Sequence, residues 1–229
     1  MPVSISQPPH GWRALAWEVV VVVVGVLIAL GAQQLAENLS WRDKVAVQRE
    51  ALDADIAAGI GSIALRQVWQ PCLDRRTEEI EQLLSARAQG RSIPVVGHVG
   101  APYRVWEHIN SYEGAVDDGS LAKMPFAVRR NYEDLVSNIR NVNRLHEQEF
   151  QVWLELQRLE HPDRMTDADW SDVRGVMGEI RVLDQRLKTA VASSEAKVPK
   201  GTKLPDLRGE MGDEPWGDDF CRPLLAPAN

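Results

Sequence analysis

Cysteine is almost missing from this chain. Two in 229 residues exclude a disulfide scaffold and a Cys-rich zinc site. Basic charge is in deficit: 26 Lys and Arg stand against 33 Asp and Glu, a net charge of -7. No global basic field attracts phosphate backbones, so no nucleic-acid partner is expected. Catalytic patterns are equally scarce. There is no Gly-Lys-Ser/Thr phosphate loop, no Gly-x-Ser-x-Gly elbow and no Gly-x-Gly-x-x-Gly after a strand. His146-Glu147-Gln148-Glu149-Phe150 opens like a zinc-protease helix, but Phe150 stands where the second histidine is needed. Asp117-Asp118-Gly119 lacks the further oxygen ligands of a calcium loop and reads as a turn. No cofactor, metal site or catalytic residue is expected, and no solenoid-type repeat is visible.

What is there is 44% hydrophobic and 26% charged residues, enough for one domain with additions. The longest apolar run lies near the start. Ala14 to Ala32 holds one charge, Glu18, and Val19 to Leu30 is apolar on every side, whereas a soluble helix of that length keeps a polar face. At about 1.5 Å per residue, the run matches a hydrocarbon layer of about 30 Å. Trp12 and Trp17 at one end and Trp41 beyond the other suit headgroup-level anchors. Glu18, just inside the tryptophans, is placed to reach the interface; the alternative role is a proton-handling or partner-pairing carboxylate. A cleavable signal ending near Ala29-Leu30-Gly31 is the competing reading. Against it, Gln33 to Val68 continues helical spacing with no proline. The expectation is a retained transmembrane helix over 12–32 after a short tail, 1–11. Gly25, Ala29, Ala32 and Ala36 form a small-residue face suited to a second membrane helix, either another copy or a partner protein.

Glu18, six valines, then Gly25-Val26-Leu27-Ile28-Ala29-Leu30, followed by Gln33, Gln34 and Glu37, resembles the opening of a family of uncharacterised bacterial single-pass membrane proteins. A weaker similarity runs from Trp106 to Tyr132 through Gly119, Ser120 and Leu121. The resemblance implies a helical domain outside the cytoplasm, with no activity assigned. Positive charge points the other way: only Arg13 precedes the span, while Arg42, Lys44 and Arg49 follow it. Long domains cross largely regardless of such a small bias. The expectation is therefore an inner-membrane protein with a periplasmic C-terminal domain, its partners being the bilayer and another membrane protein or itself.

Beyond the span, apolar residues recur at helical spacing. Leu52, Ile56, Ile60 and Ile63 form one stripe, which Pro71 should interrupt because it lacks a backbone donor. Leu73, Ile80, Leu83, Leu84 and Arg87 suggest a second helix ending near Gly90, and Arg91 to Pro102 reads as a loop with at most a short strand. Tyr103 to Ile109 looks like a short helix and Glu113 to Lys123 like a turn-rich connection. Pro125 suits a first helical position. Val128, Tyr132, Leu135, Ile139 and Val142 keep a heptad seam. Thr166 with Asp169 suggests a capping-box start for a helix burying Val173, Val176, Ile180, Leu183, Leu187 and Ala190 or Val191. The last two helices should form an antiparallel hairpin joined by His161 to Met165.

The expected fold is all-α, an antiparallel bundle of three or four helices over 33–197, continuous with the membrane helix. A Pro/Gly-rich tail, 198–229, is expected to be extended and only partly ordered. In an oxidising compartment Cys72 and Cys221 can pair across a loop of about 150 residues, a crosslink typically worth roughly 2 to 4 kcal/mol; otherwise they are unrelated thiols. The seam from Val142 reaches His146 and Glu149, a candidate buried polar pair, unless it slips to Leu145 and Val152 and leaves His146 on a wet face. Function is expected to be non-catalytic, an interaction or accessory subunit of a membrane or envelope complex. The alternatives are a ligand-sensing bundle or an enzyme with an unrecognised site.

Overall fold

The computed structural model describes residues 11–102, 109–197 and 220–225. The described residues are almost entirely helical, in five α-helices: α1, Trp12–Ala88; α2, Asn110–Asp117; α3, Ser120–Lys123; α4, Phe126–Glu155; and α5, Asp167–Lys197. Among them the only β pairing is an isolated antiparallel bridge between Val96 and Leu225. Two units divide the chain, Met1–Arg49 and Glu50–Asn229.

In the first unit, the helix from Trp12 exposes its apolar residues on all sides. Val19 to Val24, Val26, Leu27, Ile28 and Leu30 are all exposed, as are Trp12 at 78% and Trp17 at 69%. α1 contains a stretch long and apolar enough to cross a membrane, and no part of that stretch is buried. Trp41 is half-buried, with the Lys44 ammonium 4.8 Å from its ring centroid.

In the second unit, α4 and α5 form an antiparallel hairpin, and the remainder of α1 lies against both. Asp53, Gly59 and Arg66 of α1 meet Tyr132, Ile139 and Glu149 of α4 in the same order along the chain. Arg66, Glu81 and Arg87 meet Asp184, Arg181 and Asp167 of α5 in the opposite order. α1 is thus antiparallel to α5 and parallel to α4, which the long connection through α2 and α3 makes possible. The stripes foreseen from spacing fill the core. Leu52, Ile56, Ile60 and Ile63 are buried, with Tyr132, Leu135, Ile139 and Val142 opposite and Val173, Ile180, Leu183 and Leu187 beside them; Val128 is half-buried. Gly59 allows a close approach of α1 and α4, because a Cβ there would stand 3.1 Å from the Ile139 Cδ1.

Three local expectations need correction. Pro71 does not interrupt α1. Pro71 and Gln67, whose carbonyl the missing N–H would have bonded, both lie on the exposed side. The lost bond is therefore open to water, while buried Ile63, Leu73 and Ile80 pin the turns on either side. Glu113 to Lys123 is mostly helical: burial of Ala115 and Leu121 outweighs its glycine and aspartate content. The break falls only at Gly119, whose φ of 78° is left-handed, with Asp118 Oδ1 accepting the Ser120 N–H at 2.8 Å. Pro125 precedes α4 as its N-cap, because its ψ of 141° is extended. In the described part of the tail, expected to be only partly ordered, Phe220 and Leu224 are buried. Of the expected helix at Tyr103 to Ile109 only Ile109 is described, a buried residue that precedes α2 with a non-helical ψ of 71°; residues 103–108 and tail residues 198–219 and 226–229 lie outside the described residues.

Helix ends follow the chemistry of their residues. Gly90, with φ of 64°, closes α1 through Gly90 N to Arg87 O and Arg91 N to Ala86 O bonds, a Schellman arrangement. At α5, Thr166 Oγ1 accepts the Asp169 N–H at 3.3 Å, and Asp169 Oδ2 accepts the Thr166 N–H at 2.8 Å, a reciprocal cap.

Candidate functional site

Three helices bring a polar cluster into the middle of the bundle. Glu149 of α4 is wholly buried and His146, one turn earlier, is 3% exposed, while Leu145 and Val152 are buried as well. The wet-face alternative for His146 therefore fails: α4 packs against α1 on one side and α5 on the other, so its buried face is wider than one heptad seam. Across from Glu149, Arg66 of α1 donates to Glu149 Oε1 at 2.7 Å and to Asp184 Oδ1 of α5 at 3.1 Å. Gln70 also donates to Asp184 Oδ1, at 2.9 Å, and Lys188 pairs with Asp184 Oδ2 at 2.7 Å. Partial burial pushes the Lys188 ammonium down, but its hydrogen bond and charge attraction to Asp184, with Asp74 adding to both, outweigh that and raise it above its ordinary value.

The cluster is incompletely satisfied. Arg66 Nε and Nη1, His146 Nε2, Glu149 Oε2 and the indole nitrogens of Trp69 and Trp153 are buried with no hydrogen-bond partner among the described residues. His146 Nδ1 stands 3.7 Å from Glu149 Oε2, too far for a hydrogen bond. Beside this cluster opens a cavity of about 280 Å³, lined among others by Asp74, Glu78, Glu149, Trp153, Ile180 and Asp184.

A second cluster holds the described end of the tail. Cys72 and Cys221 are joined by a disulfide. Next to it, buried Arg76 donates to the carbonyls of His98 at 2.6 Å, Phe220 at 2.7 Å and Arg222 at 2.9 Å. Burial pushes the Arg76 guanidinium below its ordinary value, with Glu79 opposing the shift. Glu79 accepts the Leu224 N–H at 2.9 Å, and the Phe220 ring meets Trp153 edge-on at 5.4 Å. The tail thus packs against Trp153, one of the residues that line the cavity.

No family model, curated protein or solved structure matches the chain. The resemblance of the Glu18 to Leu30 stretch to uncharacterised bacterial membrane proteins is thus left to the residues themselves.

Of the residues singled out by sequence, His146 and Glu149 meet in the core cluster and Cys72 meets Cys221 in the tail clamp. Gly25, Ala29, Ala32 and Ala36 share the exposed helix of the first unit with Trp12, Trp17 and Glu18, and a Cβ at Gly25 would meet only open space. Asp117 ends α2, and Asp118 and Gly119 turn the chain from α2 into α3. No group of three or more His, Cys, Asp or Glu among the described residues is arranged to hold a metal ion. Sequence reasoning missed Arg66, Asp184, Trp153 and Arg76. A signal for Arg66 was present, since the stripe Ile56, Ile60, Ile63 reaches it at the next step of three and resumes at Leu73.

Proposed function

We propose that this chain is a single-pass, inner-membrane-anchored protein whose helical bundle lies on the periplasmic side and acts as a non-catalytic interaction or accessory subunit of a membrane or envelope complex. The observation that carries the reading is the fully exposed apolar sleeve from Val19 to Leu30, in a chain whose bundle buries residues of the same kind. Water does not tolerate such a surface on a monomer, and lipid does. The Cys72–Cys221 disulfide supports the oxidising side, because thiols stay reduced in the cytosol. The resemblance to extracytoplasmic helical proteins agrees. The small-residue face at Gly25, Ala29, Ala32 and Ala36 supports a partner helix within the bilayer, a second copy or another protein.

The test is protease treatment of spheroplasts followed by detection of the C-terminus. Digestion of the bundle without lysis is the expected outcome; a protected bundle overturns the orientation, and release of the chain by a high-salt wash overturns the anchor. Native pull-down in mild detergent with mass spectrometry then identifies the partner. Ligand sensing is a second reading, drawn from one observation: the cavity beside Glu149.

A further inference from the structure

Residues 220–225 are held as a groove holds a bound peptide. Their main chain carries the polar contacts. Arg75 and Arg76 of α1 donate to the carbonyls of Phe220, Cys221 and Arg222, Glu79 accepts the Leu224 N–H, and the Gly97 N–H donates to the Leu224 carbonyl at 2.8 Å. The bridge from Val96 to Leu225 continues that pairing, and the side chains of Phe220 and Leu224 are buried. Two glycines on the opposite wall leave room for the segment: a Cβ at Gly97 would stand 3.2 Å from the Leu224 carbonyl oxygen, and one at Gly100, left-handed with φ of 66°, 3.3 Å from the Phe220 ring. Arg76 is 1% exposed, and two of the three carbonyls that it bonds belong to this segment. An empty groove would leave that guanidinium largely unpaired, which is costly, so the groove needs an occupant.

None of these contacts fixes which copy of the chain supplies the segment. Arg66 of α1 pairs with Asp184 of α5, so the end of α5 at Lys197 and Cys72 stand about 30 Å apart along the helix axes. The stretch 198–219 covers up to about 70 Å when extended. A second bundle alongside adds about two helix diameters, roughly 20 to 24 Å, sideways, which leaves its groove within reach. Every copy carries the same segment, and a reciprocal exchange keeps each contact and the number of disulfides unchanged. Effective concentration then decides between own and exchanged segments, and two copies paired through Gly25, Ala29, Ala32 and Ala36 would hold each other's segments close.

We propose that this groove receives residues 220–225 of a second copy of the chain, reciprocally, giving a segment-swapped dimer in which Cys72 of each chain is bonded to Cys221 of the other. The route is thiol–disulfide exchange with a small-molecule thiol as catalyst. Its thiolate attacks Cys221 Sγ and Cys72 leaves as a thiolate. After the segments cross, the Cys72 thiolate of each chain attacks Cys221 Sγ of the other and expels the small thiol, so nothing is oxidised or reduced overall. Cys72 and Cys221 are both half-buried rather than enclosed, which leaves the bond open to that attack. The proposal rests on the second-copy form of the partner reading, and the experiment separates the two.

Unlabelled and heavy-isotope-labelled full chains are reconstituted together in phosphatidylcholine vesicles, incubated with a reduced and oxidised glutathione pair, alkylated, digested without reduction and read by mass spectrometry. A Cys72–Cys221 peptide with one light and one heavy half arises only from two chains. The expected result is that hybrid, rising with chain density, in several-fold excess over Cys72–Cys72 and Cys221–Cys221 peptides. No hybrid, or homotypic peptides in equal amount, overturns the proposal. Crosslinking along the span without any hybrid overturns the swap and leaves the helix pairing standing. A second arm mixes the Cys72→Ser chain with the Cys221→Ser chain, where only a bond between chains can restore the pair. A covalent heterodimer is expected, and adding Phe220→Ala to the Cys72→Ser chain should lower its yield several-fold through the lost burial. A yield indifferent to Phe220→Ala marks random collision and overturns the proposal.

Discussion

Removing one half of the Arg66–Glu149 pair should be far more damaging than removing both. The two side chains are 5% and 1% exposed and meet at 2.7 Å. With charge centres about 4 Å apart and an effective dielectric near 20, the attraction is about 4 kcal/mol. Breaking a buried pair from one side typically costs roughly 3 to 5 kcal/mol, because the surviving charge stays desolvated. Asp184 remains 3.1 Å from Arg66, so Glu149→Leu should fall at the lower end, about 3 kcal/mol. With a urea dependence of about 2 kcal/mol per molar, the unfolding midpoint then drops by about 1.5 M. The double variant Arg66→Met/Glu149→Leu replaces the pair by apolar side chains and should lie within about 1 kcal/mol of the parent. Urea titrations of the full chain in micelles, followed by tryptophan fluorescence, complete the double-mutant cycle. If each single substitution costs under about 1 kcal/mol, or if the double costs their sum, the pair is not acting as a desolvated unit and the reasoning fails.

Cys72→Ser/Cys221→Ser should lose about 2 to 4 kcal/mol, with chain entropy setting a ceiling of about 5 kcal/mol for so long a loop. Reductant should bring the parent to the same urea midpoint, and a parent insensitive to reductant would refute this. Gly59→Val forces atoms into the Ile139 side chain, already 3.1 Å from a bare Cβ, and should destabilise by about 1 to 3 kcal/mol; a melt at the parental Tm would contradict the close helix approach. Thr166→Ala should cost about 1 kcal/mol at neutral pH through loss of the α5 cap. The hydrogen bonds from the Thr166 side chain and backbone hold the Asp169 carboxyl below its ordinary value. Its contribution is therefore complete above the unfolded carboxylate pKa and lost as pH falls through the lower folded one. Asp169→Asn should accordingly narrow its stability gap to the parent on acidification, whereas parallel pH curves would show that the carboxylate plays no part.

Which parts of this molecule were readable in advance follows from what is local. Tyr132, Leu135, Ile139 and Val142 fix a helix and its inner face within a few turns, and the Thr166 to Asp169 cap and Gly90 stop depend on still fewer residues. Pro71 misled because a local rule was outvoted by packing on the opposite face of the same helix. The core cluster was half legible: His146 and Glu149 fell on the seam, but Arg66 and Asp184 lie 118 residues apart, and no periodicity states which turns of two helices will face each other. The parallel course of α1 and α4 was hidden for the same reason, because it depends on how the connecting segment returns. Arg76 was invisible because its partners are backbone carbonyls, which every sequence supplies equally.

The bond between Cys72 and Cys221 alters what a cut in the backbone means. Two-thirds of the polypeptide lies within the ring that it closes. A single nick anywhere between those two positions opens the ring without parting the pieces, so the far fragment stays fastened to the segment that carries the apolar sleeve. Shedding the bundle from its anchor would take either a scission before Cys72 or the combination of a nick and a reductant.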